Sequence, residues 1–186
     1  MAEQPLFAAA DAAAPDPAFY IAFSPLCFTL LGLWLIIVQT RYSEWRGSAI
    51  HRSRAYTLAI NFALPGLMAL IALVDPANET LWRVGFAFVA IVGVVILGWM
   101  MVRGPGRGEH PLASLLATGL SIVLYGVIAL LALAPGVVKD LGVRLPPLQV
   151  EEILLSVLLF TAVTVAWLLM FDQAEPREDL PLQSDR

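Results

Sequence analysis

Five long runs of apolar residues alternate with short polar segments along the chain. The runs cover residues 17–40, 55–74, 84–102, 112–133 and 153–171. A hydrocarbon core about 30 Å thick needs about 20 residues of helix to cross it, and each run is close to that length. Membrane β-strands would instead alternate apolar and polar positions, and these runs do not. The pattern therefore predicts an all-α integral membrane protein, a bundle of five transmembrane helices.

Two polar tails flank this transmembrane domain, which is predicted to cover residues 17–171. Residues 1–16 are acidic and rich in alanine, and residues 172–186 are polar and contain two prolines. Both compositions favour poor order. The first helix has two possible starts. Asp16 and Pro17 suit its N-cap and first position, whereas Pro25 would either kink the helix or begin it.

The loop between the first two apolar runs contains the densest group of basic residues. Its four arginines are Arg41, Arg46, Arg52 and Arg54, against one acid. Loops rich in Arg and Lys stay on the cytoplasmic side of a membrane, so these arginines are the residues expected to determine topology. With five crossings, the side that holds this loop carries eight basic residues and the other side three. The expected orientation is N-terminus outside and C-terminus inside.

The amino-acid composition also argues against a soluble protein. The chain is 59% hydrophobic and 14% charged, whereas soluble domains have about 45–50% apolar and about 25% charged residues. A single cysteine excludes an internal disulfide. The net charge of −4 comes mostly from the tails and gives no reason to expect nucleic acid as a partner. Ten arginines against one lysine suggest a high-GC bacterium, and hence its plasma (inner) membrane. The expected partners are the lipid bilayer and either further copies of the chain or another membrane protein.

Ionisable residues are missing from the central part of every apolar run. Ion-coupled transporters and voltage sensors place such residues at membrane depth. Haem would need histidine ligands, yet His51 and His110 both lie in predicted loops. A catalytic set of nucleophile, base or metal ligands is also missing. The sequence therefore predicts no enzyme, no catalytic residue, no metal site and no cofactor.

Asn61 and Pro65 form the most distinctive polar feature of the second run. Pro65 removes the backbone hydrogen bond that would use the carbonyl of Asn61. One helical turn thus offers a free carbonyl and a carboxamide at membrane depth, a combination found at solute and ion sites. The alternative is that Asn61 bonds a neighbouring helix and Pro65 bends its own helix.

The fourth run contains a stripe of hydroxyl-bearing residues. Ser114, Thr118, Ser121 and Tyr125 recur at helical spacing and so share one face. Such a face packs closely against protein, or it lines a narrow uncharged pore. The stripe predicts a protein-facing or water-facing side and leaves both uses open.

At the outer end of the fifth run, Glu152 and Ser156 are one turn apart. They are candidates for a carboxylate ring at the mouth of an oligomeric cation pore. The plainer alternative is that Glu151 and Glu152 only interact with the helix dipole. Two hypotheses follow for the whole chain: an oligomeric passive channel for small ions or polar solutes, or a non-catalytic structural or accessory subunit of a membrane complex. A lipid-modifying enzyme is not favoured, because it would need an acid/base pair at the interface and the sequence provides none.

Overall fold

The computed structural model describes residues 16–103, 111–134 and 147–171, with the backbone alone for residues 111–117, 147 and 171. Every regular element in these ranges is an α-helix, which confirms the all-helical prediction. The helices are α1 (Pro17–Thr40), α2 (Tyr42–Trp45), α3 (Ala49–Val74), α4 (Glu79–Arg103), α5 (Pro111–Leu133) and α6 (Pro147–Phe171). The predictions made for the N-terminal tail before Asp16 and for the tail of residues 172–186 lie outside the described residues.

Four helices of the described part are long and apolar enough to cross a membrane. They are α1, α3, α4 and, within α6, the segment Leu148–Met170. In α5, whose side chains are described from Thr118 onward, the apolar stretch runs from Thr118 to Leu133. Length and composition thus give a helical membrane protein with four clear spanning helices.

Helices α3, α4 and α6 begin well before the predicted apolar runs, and polar residues cap the starts of α1 and α3. Asp16 caps α1 by accepting a hydrogen bond from the Ala18 N–H at 2.9 Å. Helix α1 therefore begins at Pro17, and Pro25 lies inside it. Ser48 caps α3 by accepting from the His51 N–H, so that α3 begins before residue 55. Likewise α4 and α6 begin before residues 84 and 153.

Helices α3 to α6 form a closed ring. Helix α3 packs against α4 and α6, and α5 also packs against α4 and α6. Helix α1 lies outside this ring and packs mainly on α3. Side chains from every large helix meet in one apolar core, including Cys27, Phe62, Phe86, Ile128 and Leu155. The ring therefore encloses side chains of α3 and α5 that face each other.

Three contacts hold α1 against α3. A Cβ atom at Gly66 would lie 3.0 Å from the Cβ of Cys27, so glycine allows the close approach of the two backbones. Beside it, the Ser24 hydroxyl donates to the Gly66 carbonyl at 3.5 Å. Nearer the other end of α1, the Trp34 indole N–H donates to the Ala55 carbonyl at 3.0 Å. Close backbone approach with polar side-chain contacts is the usual means of holding membrane helices together.

The two ends of the bundle differ in charge. The long helices alternate in direction, so that the helix ends bearing acids gather at one end and those bearing arginines at the other. One end has five described acids and one base: Asp16, Asp75, Glu79, Glu151, Glu152 and Arg83. The other end has five described bases and one acid: Arg41, Arg46, Arg52, Arg54, Arg103 and Glu44. The first group is called the acidic end and the second group the basic end.

Candidate functional site

A hydrogen bond inside the helix ring joins α3 to α5. The Asn61 side-chain N–H donates to the Ser121 hydroxyl at 3.2 Å. Both residues are buried, with exposed fractions of 4% and 2%. The side-chain oxygen of Asn61 is also buried and has no hydrogen-bond partner among the described residues. Asn61 therefore uses its donor and leaves its acceptor unpaired.

Tyr125 lies one turn beyond Ser121 on the same face of α5 and is fully buried. A Cβ atom at Gly93 of α4 would lie 3.0 Å from the Tyr125 ring and 3.1 Å from the Leu64 side chain. Glycine at this position thus leaves room for the ring. The Tyr125 hydroxyl has no hydrogen-bond partner among the described residues. Asn61, Ser121 and Tyr125 are together called the interior polar cluster.

The hydroxyl-bearing stripe of α5 faces the interior of a single chain. Ser121 and Tyr125 are buried, and Thr118 is half-buried. Ala129 and Ala132, which continue the stripe, are buried as well. The side chain of Ser114 lies outside the described residues. The stripe therefore meets α3 and α4 rather than the outer surface of the bundle, which is where a pore between protomers would run.

Pro65 lies buried inside α3, and the helix continues through it. Pro65 also stands next to Gly66, where α1 approaches closely and where Ser24 donates its hydrogen bond. Ser24 of α1 thus faces the Pro65–Gly66 segment of α3, whereas Pro25 is exposed. Asn61, one turn earlier on α3, is brought to Ser121 rather than to α1.

Glu152 and Ser156 lie one turn apart near the start of α6. The Ser156 hydroxyl, which is exposed, donates to the backbone carbonyl of Glu152 at 2.9 Å.

Glu151 is the buried acid of this helix, although its position in the sequence suggests only an interaction with the helix dipole. Its exposed fraction is 1%, and one of its carboxylate oxygens is buried with no hydrogen-bond partner among the described residues. A sequence signal for this burial exists. Glu151 is in helical register with Leu155, Leu158 and Ala162, all of which are buried. The sequence also gave no sign that Tyr20 of α1 would be buried. It is fully buried, and its hydroxyl has no hydrogen-bond partner among the described residues.

Two of the arginines expected to determine topology also donate hydrogen bonds to backbone carbonyls of the chain. Arg41 donates to the carbonyl of Met170, near the end of α6, at 3.0 Å. Its guanidinium lies 5.9 Å from the centre of the Trp45 ring. Arg52 donates to the backbone carbonyl of Arg46. These contacts cap exposed carbonyls at helix ends, where positive charge is favoured.

Comparison with known proteins adds no family to this description. No protein-family model, no curated protein and no solved structure matches the chain. Within the described residues, no group of three or more His, Cys, Asp or Glu side chains could hold a metal ion. The chemistry available there is that of hydroxyl, amide and carboxylate oxygens inside a helical bundle.

Proposed function

We propose that the chain is a passive permeation protein for small ions or polar solutes, and that solutes pass inside each helix ring. The unpaired oxygens of the interior polar cluster carry this proposal. A buried polar atom without a partner costs about 1–3 kcal/mol. Here the Asn61 amide oxygen and the Tyr125 hydroxyl both lack a partner among the described residues. A passing water, ion or polar solute would satisfy both atoms.

The position of the cluster suits such a path. Asn61 is six residues after the start of the apolar run of residues 55–74, or about 9 Å along the axis of α3. The cluster therefore lies within the apolar part of the helix, on the side of the basic end. Oxygen atoms placed there lower the cost of moving a polar solute into the apolar part of a membrane.

Ion or solute flux into liposomes tests the permeation proposal. We expect the wild-type protein to conduct, and Asn61→Leu and Tyr125→Phe to abolish most of the flux while the protein stays folded. Thr161→Val is the matched control, because the Thr161 hydroxyl is exposed and bonds the carbonyl of Val157 in its own helix. Wild-type liposomes that pass no ion or small polar solute under any gradient or membrane tension would contradict the proposal.

A second candidate function is a non-catalytic structural or accessory subunit of a membrane complex. The observation that favours it is the use of small and polar residues in packing. Gly66 and Gly93 permit close contacts, and Asn61 bonds Ser121. Such contacts are how membrane helices associate. On this proposal Asn61→Leu would lower stability by about 0.6–2 kcal/mol, and neither protein would conduct.

We propose five spans, with the N-terminus outside and the basic end in the cytoplasm of a bacterial cell. The positive-inside rule supports this orientation, since the basic end holds five described arginines. In a Cys27→Ser background, an impermeant thiol reagent added to intact cells should label Ala77→Cys and leave Ser43→Cys unlabelled until the cells are opened. Both positions are exposed, and they lie at opposite ends of the bundle. The reverse labelling pattern would overturn the orientation.

A further inference from the structure

Two exposed arginines stand side by side at the basic end of the bundle. Arg46 directly follows the short helix α2, and Arg52 lies in the first turn of α3. An N–H of the Arg52 guanidinium donates to the backbone carbonyl of Arg46, so the two residues are in direct contact. The nearby acid Glu44 forms no ion pair with either of them within the described residues. Arg46 and Arg52 are called the arginine pair.

The chain beneath the arginine pair is held in one shape. Trp45, which precedes Arg46, is 3% exposed. Its ring lies against those of Trp34, at 6.1 Å between centres, and His51, at 5.7 Å. Because His51 in turn precedes Arg52, this stacking fixes the spacing of the pair. A surface that is already in shape loses less conformational entropy when a ligand binds than a loose loop does.

The arginine pair lies at the level where lipid headgroups are found. The apolar run of residues 55–74 starts three residues after Arg52, or about 5 Å further along the helix axis. Tyr42 and Tyr56 flank the pair in sequence, and their exposed fractions are 62% and 53%. Exposed tyrosine rings are typical of the membrane–water interface. The pair therefore stands next to the phosphate layer rather than in the hydrocarbon.

We propose that the arginine pair binds the phosphate of an anionic phospholipid, in the leaflet at the basic end of the bundle. A guanidinium can form two parallel hydrogen bonds with phosphate oxygens, which makes arginine the preferred residue for such groups. Arg41 adds positive charge nearby, since its guanidinium lies 5.9 Å from the centre of the Trp45 ring. Clusters of arginines beside a membrane span attract anionic lipids in particular. The site stands independently of permeation, because it does not use the interior polar cluster.

Lipid binding to the full-length protein tests the arginine pair. Detergent-purified protein is titrated with phosphatidylglycerol or phosphatidylcholine of the same acyl chains, and bound lipid is counted by native mass spectrometry. We expect the wild type to bind phosphatidylglycerol at least about tenfold more tightly than phosphatidylcholine, because one arginine near anionic lipid strengthens binding about fivefold. Arg46→Gln and Arg52→Gln should each weaken phosphatidylglycerol binding about fivefold.

Arg103→Gln is the matched control, because it removes an exposed positive charge from the same end of the bundle. Arg103 lies on α4, with its guanidinium 3.6 Å from the centre of the Trp99 ring. We expect this variant to keep its phosphatidylglycerol affinity within about twofold, since exposed charges away from the site are screened. A wild-type protein that does not prefer phosphatidylglycerol would overturn the proposal. Equal losses in Arg103→Gln and Arg46→Gln would also overturn it, because they would indicate diffuse attraction to the whole basic end.

Glycerol phosphate, which carries the phosphate without acyl chains, separates a lipid from a soluble ligand. Ligand that binds the folded state raises its thermal midpoint, and we expect phosphatidylglycerol to do so and glycerol phosphate not to. Equal stabilisation by both would overturn the lipid assignment. Should Arg52→Gln fail to fold, Arg46→Gln decides, since the Arg46 side chain makes no hydrogen bond within the described ranges. Unchanged phosphatidylglycerol affinity in Arg46→Gln would refute the site.

Discussion

The Gly93→Leu protein is expected to be less stable than the wild type by about 1–3 kcal/mol, the usual cost of overpacking a core. A Cβ atom at Gly93 would lie 3.0 Å from the Tyr125 ring and 3.1 Å from Leu64. Both neighbours are buried, and the ring is rigid. Leucine therefore has to push α4 away from α5, which breaks the ring of four helices. Thermal or denaturant unfolding in detergent measures the loss.

Gly98→Leu is the control for this substitution, because a Cβ atom at Gly98 meets nothing within 4 Å. This substitution adds the same side chain to the same helix. We expect the Gly98→Leu protein to be at least as stable as the wild type. Gly85 is a weaker test, although its Cβ would lie 2.5 Å from Ile71, because that neighbour is the end of an aliphatic side chain. Equal stability of Gly93→Leu and Gly98→Leu would show that α4 and α5 do not pack at Gly93.

Trp34→Ala is expected to lower the free energy of unfolding by about 3 kcal/mol, the low end for a buried aromatic, because lipid rather than water surrounds the unpacked helix. Trp34 is 2% exposed, and its indole N–H donates to the Ala55 carbonyl. Its ring also contacts that of Trp45, with 6.1 Å between the centres. Losing Trp34 therefore loosens α1 from α3 and removes the support under the polar loop.

Two further variants divide this effect into its parts. Trp34→Phe keeps an aromatic ring and loses the hydrogen bond, so we expect a loss of about 1 kcal/mol. Trp99→Ala removes a tryptophan that is 57% exposed and contacts only the exposed Arg103 among the described rings and cations. Its expected loss is about 0.5–1 kcal/mol. If Trp34→Ala were no more harmful than Trp99→Ala, the burial of Trp34 would not contribute to stability.

The helices themselves could be predicted from the sequence, because a membrane span requires a long continuous apolar run. The starts of α3, α4 and α6 could not, since each lies among residues too polar to belong to an apolar run. Ser48 begins α3 among polar residues, and the fifth run gave no sign that α6 begins at Pro147. Trp45 shows the same limit. It lies in a polar loop, where an aromatic residue suggests an interface anchor, yet it is 3% exposed and stacked against His51.

The candidate site was predictable only one helix at a time. Helical spacing showed that Ser121 and Tyr125 share a face, and that this face avoids lipid. The partner of that face is a matter of tertiary packing, since Asn61 and Ser121 are 60 residues apart in sequence. Glu151 was within reach of the same spacing argument. However, the helix dipole already accounts for an acid at the start of a helix, so the sequence gave no separate reason to expect that Glu151 is buried.

The hydrogen bond from Arg41 to Met170 has a consequence for how the protein is made. The two residues are separated by 129 positions. At about 5–20 residues per second, the ribosome adds Met170 about 6–26 seconds after Arg41. During that interval α3, α4 and α5 surround the interior polar cluster on three sides only, and lipid or the insertion machinery must cover the fourth. Helix α6 closes the ring of four helices and gives Arg41 its acceptor, so the bundle is complete only after Met170 has been added.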